Sequence, residues 1–273
     1  MQSSEAFERD LDTLLDTIYQ QYNQDFRDYS PISLQRRVKH ALRRLGCETV
    51  AELQLKLAQT PALFTGLLQY LTVSVSELFR DPLYFRAVRE LVVPVLQTYS
   101  SRKIWIAGCS SGEEVCSLAI VLHEEGLLEK TIIYATDINP AALDRARKGI
   151  FGIEHMQRCT ENYQRAGGKC AFSDYYSAAY GSAIFDRALL RNVVFADHSL
   201  ATDSVFTETQ FISCRNVLIY FNRNLKERAF KLFHESLARK GLLGLGSREN
   251  MDFLTSTTLF EPVLKSARLF RKI

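Results

Sequence analysis

The sequence predicts an α/β protein with an all-helical N-terminal domain, a mostly parallel sheet and a small antiparallel β insertion. Apolar residues recur at helical spacing throughout residues 1–98. From residue 103 onward, apolar strands alternate with helices, which is typical of a parallel sheet. The Gly-, Ala- and Tyr-rich stretch at about 149–191 lacks this alternation. We therefore predict a helical domain at 1–98 and a sheet domain at 99–273, with the insertion inside the second.

Composition excludes several classes of protein. The chain has 273 residues, of which 47% are hydrophobic and 24% charged, as in ordinary globular proteins. A formal net charge of +3 is too small to indicate nucleic-acid binding by itself. No run approaches the roughly 18 uncharged apolar residues of a membrane span. The first residues are acidic where a signal peptide is basic. We expect a cytoplasmic protein without membrane insertion.

The six cysteines do not predict a metal site. None of them forms a CxxC pair, and no histidine stands at ligand spacing beside them. They lie at positions 47, 109, 116, 159, 170 and 214. We expect reduced thiols and no bound metal.

The second predicted helix, residues 33–45, is strongly basic. Its apolar stripe consists of Leu34, Val38, Leu42 and Leu45, and basic residues occupy most of the other positions. These are Arg36, Arg37, Lys39, His40, Arg43 and Arg44. A solvated charged face is the ordinary interpretation, and a docking surface for an acidic partner is the alternative. Nucleic acid is a weaker choice, because no aromatic residues stand among these arginines for stacking.

A small-residue turn, AGCSSGEE at 107–114, follows the first predicted strand. Gly108 and Gly112 allow a ligand to approach bare backbone at a helix N-terminus. Their spacing is not that of a dinucleotide fingerprint. Glu113 and Glu114 would repel phosphate but suit a positively charged cofactor such as S-adenosylmethionine. A merely helix-capping role for the two glutamates stays open.

Polar residues also end two later strands. Asp137 closes the strand TIIYATD, where a carboxylate can accept both hydroxyls of a ribose. Capping of the helix near Pro140 is the alternative, and we favour ribose binding. Arg215, Asn216 and Tyr220 follow the strand at 209–213, and ligands of open α/β sheets bind beyond such ends. A solvated turn is the alternative there.

Four segments resemble the successive signatures of the chemotaxis receptor glutamate methyltransferases (the CheR family). They are AGCSSGEE, ATDINPAAL, SCRNVLIYFN and GLLGLGSRE, and their order and spacing agree with the family over residues 10–272. The resemblance implies a Rossmann-like methyltransferase domain that uses S-adenosylmethionine and releases S-adenosylhomocysteine. It further implies methyl-ester formation on glutamates in the cytoplasmic domain of methyl-accepting chemotaxis receptors.

The same resemblance implies roles for individual residues. Arg80 and Tyr220 are expected to be catalytic, both close to the transferring methyl group. The expected cofactor-binding residues are Ser74, Ser76, Arg80, Gly108, Glu114, Asp137, Ser199, Leu200, Arg215 and Asn216. Within this set Glu114 would bind the methionine part and Asp137 the ribose, while Ser199 and Leu200 would flank the adenine. The expected receptor-docking residues are Arg36, Arg37, Lys39, Arg43 and Arg44.

Several positions depart from the family pattern. Ser74 and Ser76 replace an asparagine and a threonine, Val115-Cys116 replaces Pro-Tyr, and Ser199 replaces an asparagine. Each lost hydrogen bond would cost on the order of 1 kcal/mol, or about five- to tenfold in cofactor affinity. The alternative function is therefore a catalytically weak or inactive regulatory module that binds the cofactor. The retained residues argue against it: Arg80, Glu114, Asp137, Arg215, Asn216 and Tyr220.

Overall fold

The computed structural model describes residues 4–73, 76–251 and 255–273. Within them the chain forms two compact units. One contains the four N-terminal helices together with Ser199–Ser204 and Tyr220–Ala229. The other contains both sheets, and also the helical residues 82–97. The predicted division at residue 98 marks the change from helices to strands.

The helical unit is built from four amphipathic helices: α1 (Ser4–Tyr22), α2 (Pro31–Arg44), α3 (Val50–Gln59) and α4 (Leu63–Leu71). Helix α1 buries apolar residues at the helical spacing that we predicted for this part of the chain: Phe7, Leu11, Leu14, Leu15 and Ile18. Helix α2 begins two residues earlier than predicted, because Pro31 occupies its first turn. Thr49 caps α3 by accepting a hydrogen bond from the Glu52 amide at 3.1 Å.

In the part of the chain that the structure describes, ten strands form two sheets. They are β1 (Arg102–Ala107), β2 (Thr131–Asp137), β3 (Ile150–Gly152), β4 (Tyr176–Ala179), β5 (Ser182–Phe185), β6 (Val193–Asp197), β7 (Thr209–Cys214), β8 (Leu237–Leu245), β9 (Phe260–Leu264) and β10 (Leu269–Lys272). The larger sheet has the order β6-β2-β1-β7-β8-β10-β9. Its first five strands are parallel, and β10 runs antiparallel to both neighbours. The predicted Rossmann-like sheet is confirmed.

The described residues contain six more α-helices: α5 (Pro82–Ala87), α6 (Val93–Gln97), α7 (Glu113–Glu124), α8 (Pro140–Lys148), α9 (Met156–Arg165) and α10 (Arg223–Ser236), the last of which is divided between the two units. A π-helical turn, Val88–Val92, separates α5 from α6 just before Pro94. Proline lacks the amide hydrogen that a regular helix needs there, so the ladder is interrupted at this point. Among the described residues, no helix combines the length and apolar composition of a membrane span.

The small sheet, in the order β3-β5-β4, is antiparallel and confirms the predicted insertion. Two elements were not predicted. Helix α9 is mostly polar, yet Met156, Cys159 and Tyr163 bury one face of it at helical spacing. Strand β9 contains Pro262, which an edge strand tolerates because one side of its backbone is unpaired.

A buried polar network ties the insertion to α7. The Glu124 carboxylate accepts hydrogen bonds from Tyr163, from Arg89 and, at 2.9 Å, from Tyr175. Burial alone would raise the pKa of Glu124, but these donors and the Lys169 amide lower it. The carboxylate therefore stays charged and fully bonded where α9 and the small sheet meet the main sheet's helices.

Phe85 lies in the centre of the sheet unit, where its ring contacts those of Phe79 and Tyr84. Phe85→Ala should lower the free energy of unfolding by about 3–5 kcal/mol, because it removes a fully buried ring and leaves a cavity. Leu83, two residues away on α5, is 64% exposed and is the matched control. Leu83→Ala should stay within about 0.5 kcal/mol of the wild type in urea-unfolding measurements. Equal losses in both variants would contradict this assignment of the core.

Candidate cofactor and active site

The turn after β1 exposes backbone at the carboxyl end of the sheet. Gly108, Ser110 and Gly112 all have positive φ, at 76°, 51° and 96°. The Gly108 and Cys109 amides donate to the Thr136 carbonyl, each at 2.8 Å, and this fixes the turn beside the end of β2. A Cβ at Gly112 would lie 2.8 Å from Ala146 Cα on α8, so the turn has no room for a side chain there.

Asp137 ends β2 and points its carboxylate into this turn. It accepts hydrogen bonds from the Ser110 amide at 2.8 Å and the Asn139 amide at 2.9 Å. Burial raises the pKa of Asp137, and these amides oppose that shift. The helix-capping alternative is wrong, because the Asn139 side chain caps α8 through the Ala141 and Ala142 amides. A carboxylate oxygen has further lone pairs and can accept more than one hydrogen bond.

The two glutamates at the start of α7 have different surroundings. The Glu113 carboxylate accepts from the Ser111 hydroxyl at 2.8 Å, and burial raises the pKa of Glu113. Glu114 accepts from Ser213 at 2.6 Å and from the Arg215 guanidinium at 3.1 Å. Since Glu114 binds side chains of β7 and its loop, it does more than complement the helix dipole.

Arg215 is the hub of the polar groups at the end of β7. Its guanidinium binds Glu114, the Asp81 carboxylate at 2.9 Å and the Arg80 carbonyl at 2.6 Å. It also lies 4.2 Å from the centre of the Tyr84 ring. Burial alone would lower the pKa of Arg215, but the charges around it, that of Glu114 foremost, raise it. The group is therefore a permanent buried cation.

The Tyr84 hydroxyl extends this network. It lies 2.5 Å from Ser213 Oγ, whose own hydrogen points to Glu114. Tyr84 is therefore the donor in this contact. Burial raises the pKa of Tyr84, so its hydroxyl keeps its proton.

Arg80 lies in a tight backbone turn of the same unit. Its neighbours Phe79 and Asp81 both have positive φ, at 52° and 56°. The Phe79 amide donates to Ser117 Oγ at 2.9 Å, and the Arg80 carbonyl accepts from Arg215. The turn is thus fixed on both sides of Arg80, which is itself partly exposed. Ser76 is partly exposed, and Ser74 lies outside the described residues.

Ser199, Leu200 and Tyr220, predicted for the cofactor site and catalysis, belong to the helical unit. The Ser199 amide donates to Asp203 at 2.9 Å, and Leu200 beside it is buried. The Tyr220 carbonyl accepts from the Ser30 amide at 2.7 Å.

The α2 basic residues of that unit divide into two groups. Arg36, Lys39, Arg43 and Arg44 are exposed as predicted. Arg37 is buried, so the prediction that it belongs to an exposed docking face is wrong. Its guanidinium lies 4.1 Å from the centre of the Tyr220 ring and donates to the Leu71 carbonyl at 2.5 Å, and burial lowers the pKa of Arg37.

Within the sheet unit, the structure brings together Gly108, Glu114, Asp137, Arg215 and Asn216 around the carboxyl ends of β1, β2 and β7. Sequence reasoning missed the groups that support them, namely Asp81, Tyr84, Ser213 and Glu249. Ser213 and Glu249 stand inside recognised segments, and Asp81 directly follows the predicted Arg80, so position was the available signal. In residues 4–73, 76–251 and 255–273, no three His, Cys, Asp or Glu side chains come together as metal ligands.

A bare glycine turn after β1 and a carboxylate at the tip of β2 define, with this strand order, a methyltransferase of the Rossmann-like class. The model of the CheR methyltransferase SAM-binding domain matches residues 74–267, and that of the CheR all-alpha domain matches residues 9–72. The chain therefore belongs to the CheR methyltransferase family.

Two relatives show how far the similarity extends. The Pseudomonas putida protein named "Putative methyltransferase Cher3" is 57% identical over 272 residues, and the match covers 100% of both chains. A chemotaxis protein methyltransferase of Listeria monocytogenes is 31% identical over 229 residues, which cover 83% of this chain and 84% of that protein.

S-adenosylmethionine is the cofactor of this family's domain, and the residues present fit it. Carboxylates at Glu113, Glu114 and Asp137 suit a ligand with ammonium and sulfonium charges. The turn at Gly108 and Gly112 presents backbone rather than bulky side chains.

Gly112→Ala should prevent the turn after β1 from adopting its observed conformation. The new methyl group would meet the backbone of Ala146, and alanine resists the φ of 96°. We expect the dissociation constant of S-adenosylhomocysteine to rise by at least about tenfold, equivalent to 1.4 kcal/mol, in calorimetric titration. Gly126→Ala is the control, since Gly126 also has positive φ but open space around it. Similar affinities for both variants would contradict the close approach at Gly112.

Proposed function

We propose that this chain is a protein-glutamate O-methyltransferase that acts in the cytoplasm on the cytoplasmic domain of chemoreceptors. The relatives from Listeria monocytogenes and Pseudomonas aeruginosa are named chemotaxis protein methyltransferases, at 31% and 30% identity. The observation that carries the proposal is the ion-pair network beside the glycine turn, in which the buried Arg215 guanidinium binds the partly exposed carboxylates of Glu114 and Asp81. It maintains an anionic, ordered pocket wall in a chain that keeps the residues expected for catalysis.

The cofactor roles follow from the chemistry of each position. Glu114 would bind the ammonium group of the methionine part, and Asp137 would accept the ribose hydroxyls. Ser199 and Leu200 would flank the adenine. Arg215 and Asn216 would line the pocket wall, with Ser74 and Ser76 completing the cofactor contacts.

The chemistry needs orientation more than proton transfer. The cofactor supplies an electrophilic methyl group on a sulfonium when it is bound. A glutamate substrate is already ionised near pH 7, because its ordinary pKa is about 4.3, so no general base is required. Arg80 and Tyr220 would hold the carboxylate and the methyl donor in line and exclude water. Such alignment can supply much of a rate enhancement by raising the effective concentration.

The exposed basic face of α2 would dock the receptor. We define this docking face as Arg36, Lys39, Arg43 and Arg44, all exposed, and leave out the buried Arg37. Cations on a helix surface attract an acidic helical partner over a distance set by the salt concentration. The partner expected from this chemistry is an acidic receptor segment that carries the target glutamates.

Arg80→Ala should lower turnover by at least about 100-fold, as loss of one positioned electrostatic group does elsewhere. The assay follows transfer of a radiolabelled methyl group to a receptor cytoplasmic fragment and its release as methanol in alkali. Arg86→Ala is the control, because Arg86 is exposed and pairs only with Glu90 among the ion pairs of the described residues.

Near-normal activity of Arg80→Ala would remove the catalytic role of Arg80. Absence of alkali-labile label with the wild-type protein, despite binding of S-adenosylhomocysteine, would reject glutamate methyl-ester formation itself.

Charge reversal on the docking face should weaken receptor recognition. A triple variant with Arg36, Lys39 and Arg43 changed to Glu should raise KM for the receptor fragment by about tenfold or more, and leave affinity for S-adenosylhomocysteine unchanged. The wild-type rate should fall as salt is added, because screening shortens the reach of these charges. The matched control reverses three exposed charges elsewhere, at Lys231, Arg239 and Lys265. Equal KM changes in both triple variants, or a salt-independent rate, would exclude docking through α2.

A further inference from the structure

Glu249 is a buried carboxylate after β8, 3% exposed, that accepts four backbone hydrogen bonds. Its Oε1 accepts from the Val217 amide at 2.8 Å and the Leu218 amide at 2.7 Å. Its Oε2 accepts from the Asn216 amide at 2.9 Å and the Gly246 amide at 2.6 Å. Three of the four donors are consecutive residues of the loop after β7.

A carboxylate is suited to this position because it offers only acceptors. Burial raises the pKa of Glu249, and the four amides oppose that shift. An uncharged or shorter side chain would leave some of these buried amides without an acceptor. Their desolvation would then be uncompensated, which is not the case for an amide exposed to water.

The loop that Glu249 holds lies against the glycine turn. Asn216 has a φ of 61°, a conformation that asparagine adopts in turns. Val217 packs on Gly108 so closely that a Cβ there would collide with the Val217 side chain. Arg215 immediately precedes the loop and binds Glu114. A shift of the loop therefore moves both the Arg215–Glu114 pair and the residue that covers Gly108.

The ribose side of the site is held separately. Asp137 accepts from the Ser110 and Asn139 amides, whereas Glu249 accepts from the amides of the loop 216–218 and of Gly246. The two carboxylates thus draw on different sets of amides, and the loop that Glu249 holds is joined through Arg215 to Glu114, at the proposed amino-acid end of the cofactor.

We propose that Glu249 is a positioning residue. By holding the loop 216–218 in place, it positions Glu114 and Arg215 to bind the amino-acid end of the cofactor. This role rests on the proposed assignment of Glu114 to the methionine part. It predicts a loss of affinity that depends on whether the ligand carries the amino-acid group.

The test compares two ligands on Glu249→Gln in the full-length protein. S-adenosylhomocysteine carries the amino-acid group, and 5′-methylthioadenosine lacks it but keeps the adenosine and the sulfur. Calorimetric titration should show the dissociation constant of S-adenosylhomocysteine raised by about tenfold or more, the size expected for a misplaced charged contact. The dissociation constant of methylthioadenosine should change by less than about twofold, because Asp137 is unaffected.

Two further variants keep the test decisive. Arg248→Gln changes the exposed neighbour and should leave both affinities unchanged. Glu249→Asp keeps the charge but is too short to reach all four amides, and should show the same ligand selectivity even where Glu249→Gln folds poorly. Circular dichroism establishes that each titrated variant is folded.

The outcomes separate this role from the proposed function. An equal loss for the two ligands, or unchanged affinity in folded Glu249 variants, would show that Glu249 supports the fold and does not position the cofactor site. Failure of the wild-type protein to bind S-adenosylhomocysteine would reject the cofactor assignment, and the role of Glu249 with it.

Discussion

A guanidinium buried at the carboxyl end of β7 determines where the surrounding polar groups lie. Removing such an ion from water costs several kcal/mol, which is recovered only when good partners surround it. Arg215 has Asp81 and Glu114 as charged partners and the Arg80 carbonyl as a third acceptor. Because each of these partners offsets part of that cost, the start of α5, the start of α7 and the end of β7 are held together.

The parts of the site that the sequence predicted are those with a local signal. The glycine turn can be predicted from the sequence, because Gly108 and Gly112 stand within a few residues of each other between an apolar strand and a helix. Asp137 stands at the tip of the next strand, and its position follows from the strand pattern alone. The capping alternative for Asp137 was excluded only by the structure, in which Asn139, two residues later, caps α8.

The parts that the sequence did not predict depend on distant partners. Asp81 and Arg215 are 134 residues apart, and Glu249 binds a loop about thirty residues before it. No periodicity or local motif reports such pairings, because they arise only when the sheet brings strand ends together. Helix α9 and strand β9 were not predicted for a related reason. A polar helix and a proline-containing edge strand are stabilised by what they pack against, not by their own propensities.

For Arg37, the residue type and the helical periodicity predict opposite positions on α2. It lies three residues after Leu34 and four before Ala41, so helical spacing places it on the buried face of α2. Its charge suggested the opposite face. In the structure Arg37 is on the buried face. Its guanidinium has a cation–π contact with the Tyr220 ring and donates a hydrogen bond to the Leu71 carbonyl, so it has partners away from water. A single helix therefore exposes Arg36 and Arg43 to solvent on one side and contacts the Tyr220 ring through the buried Arg37 on the other.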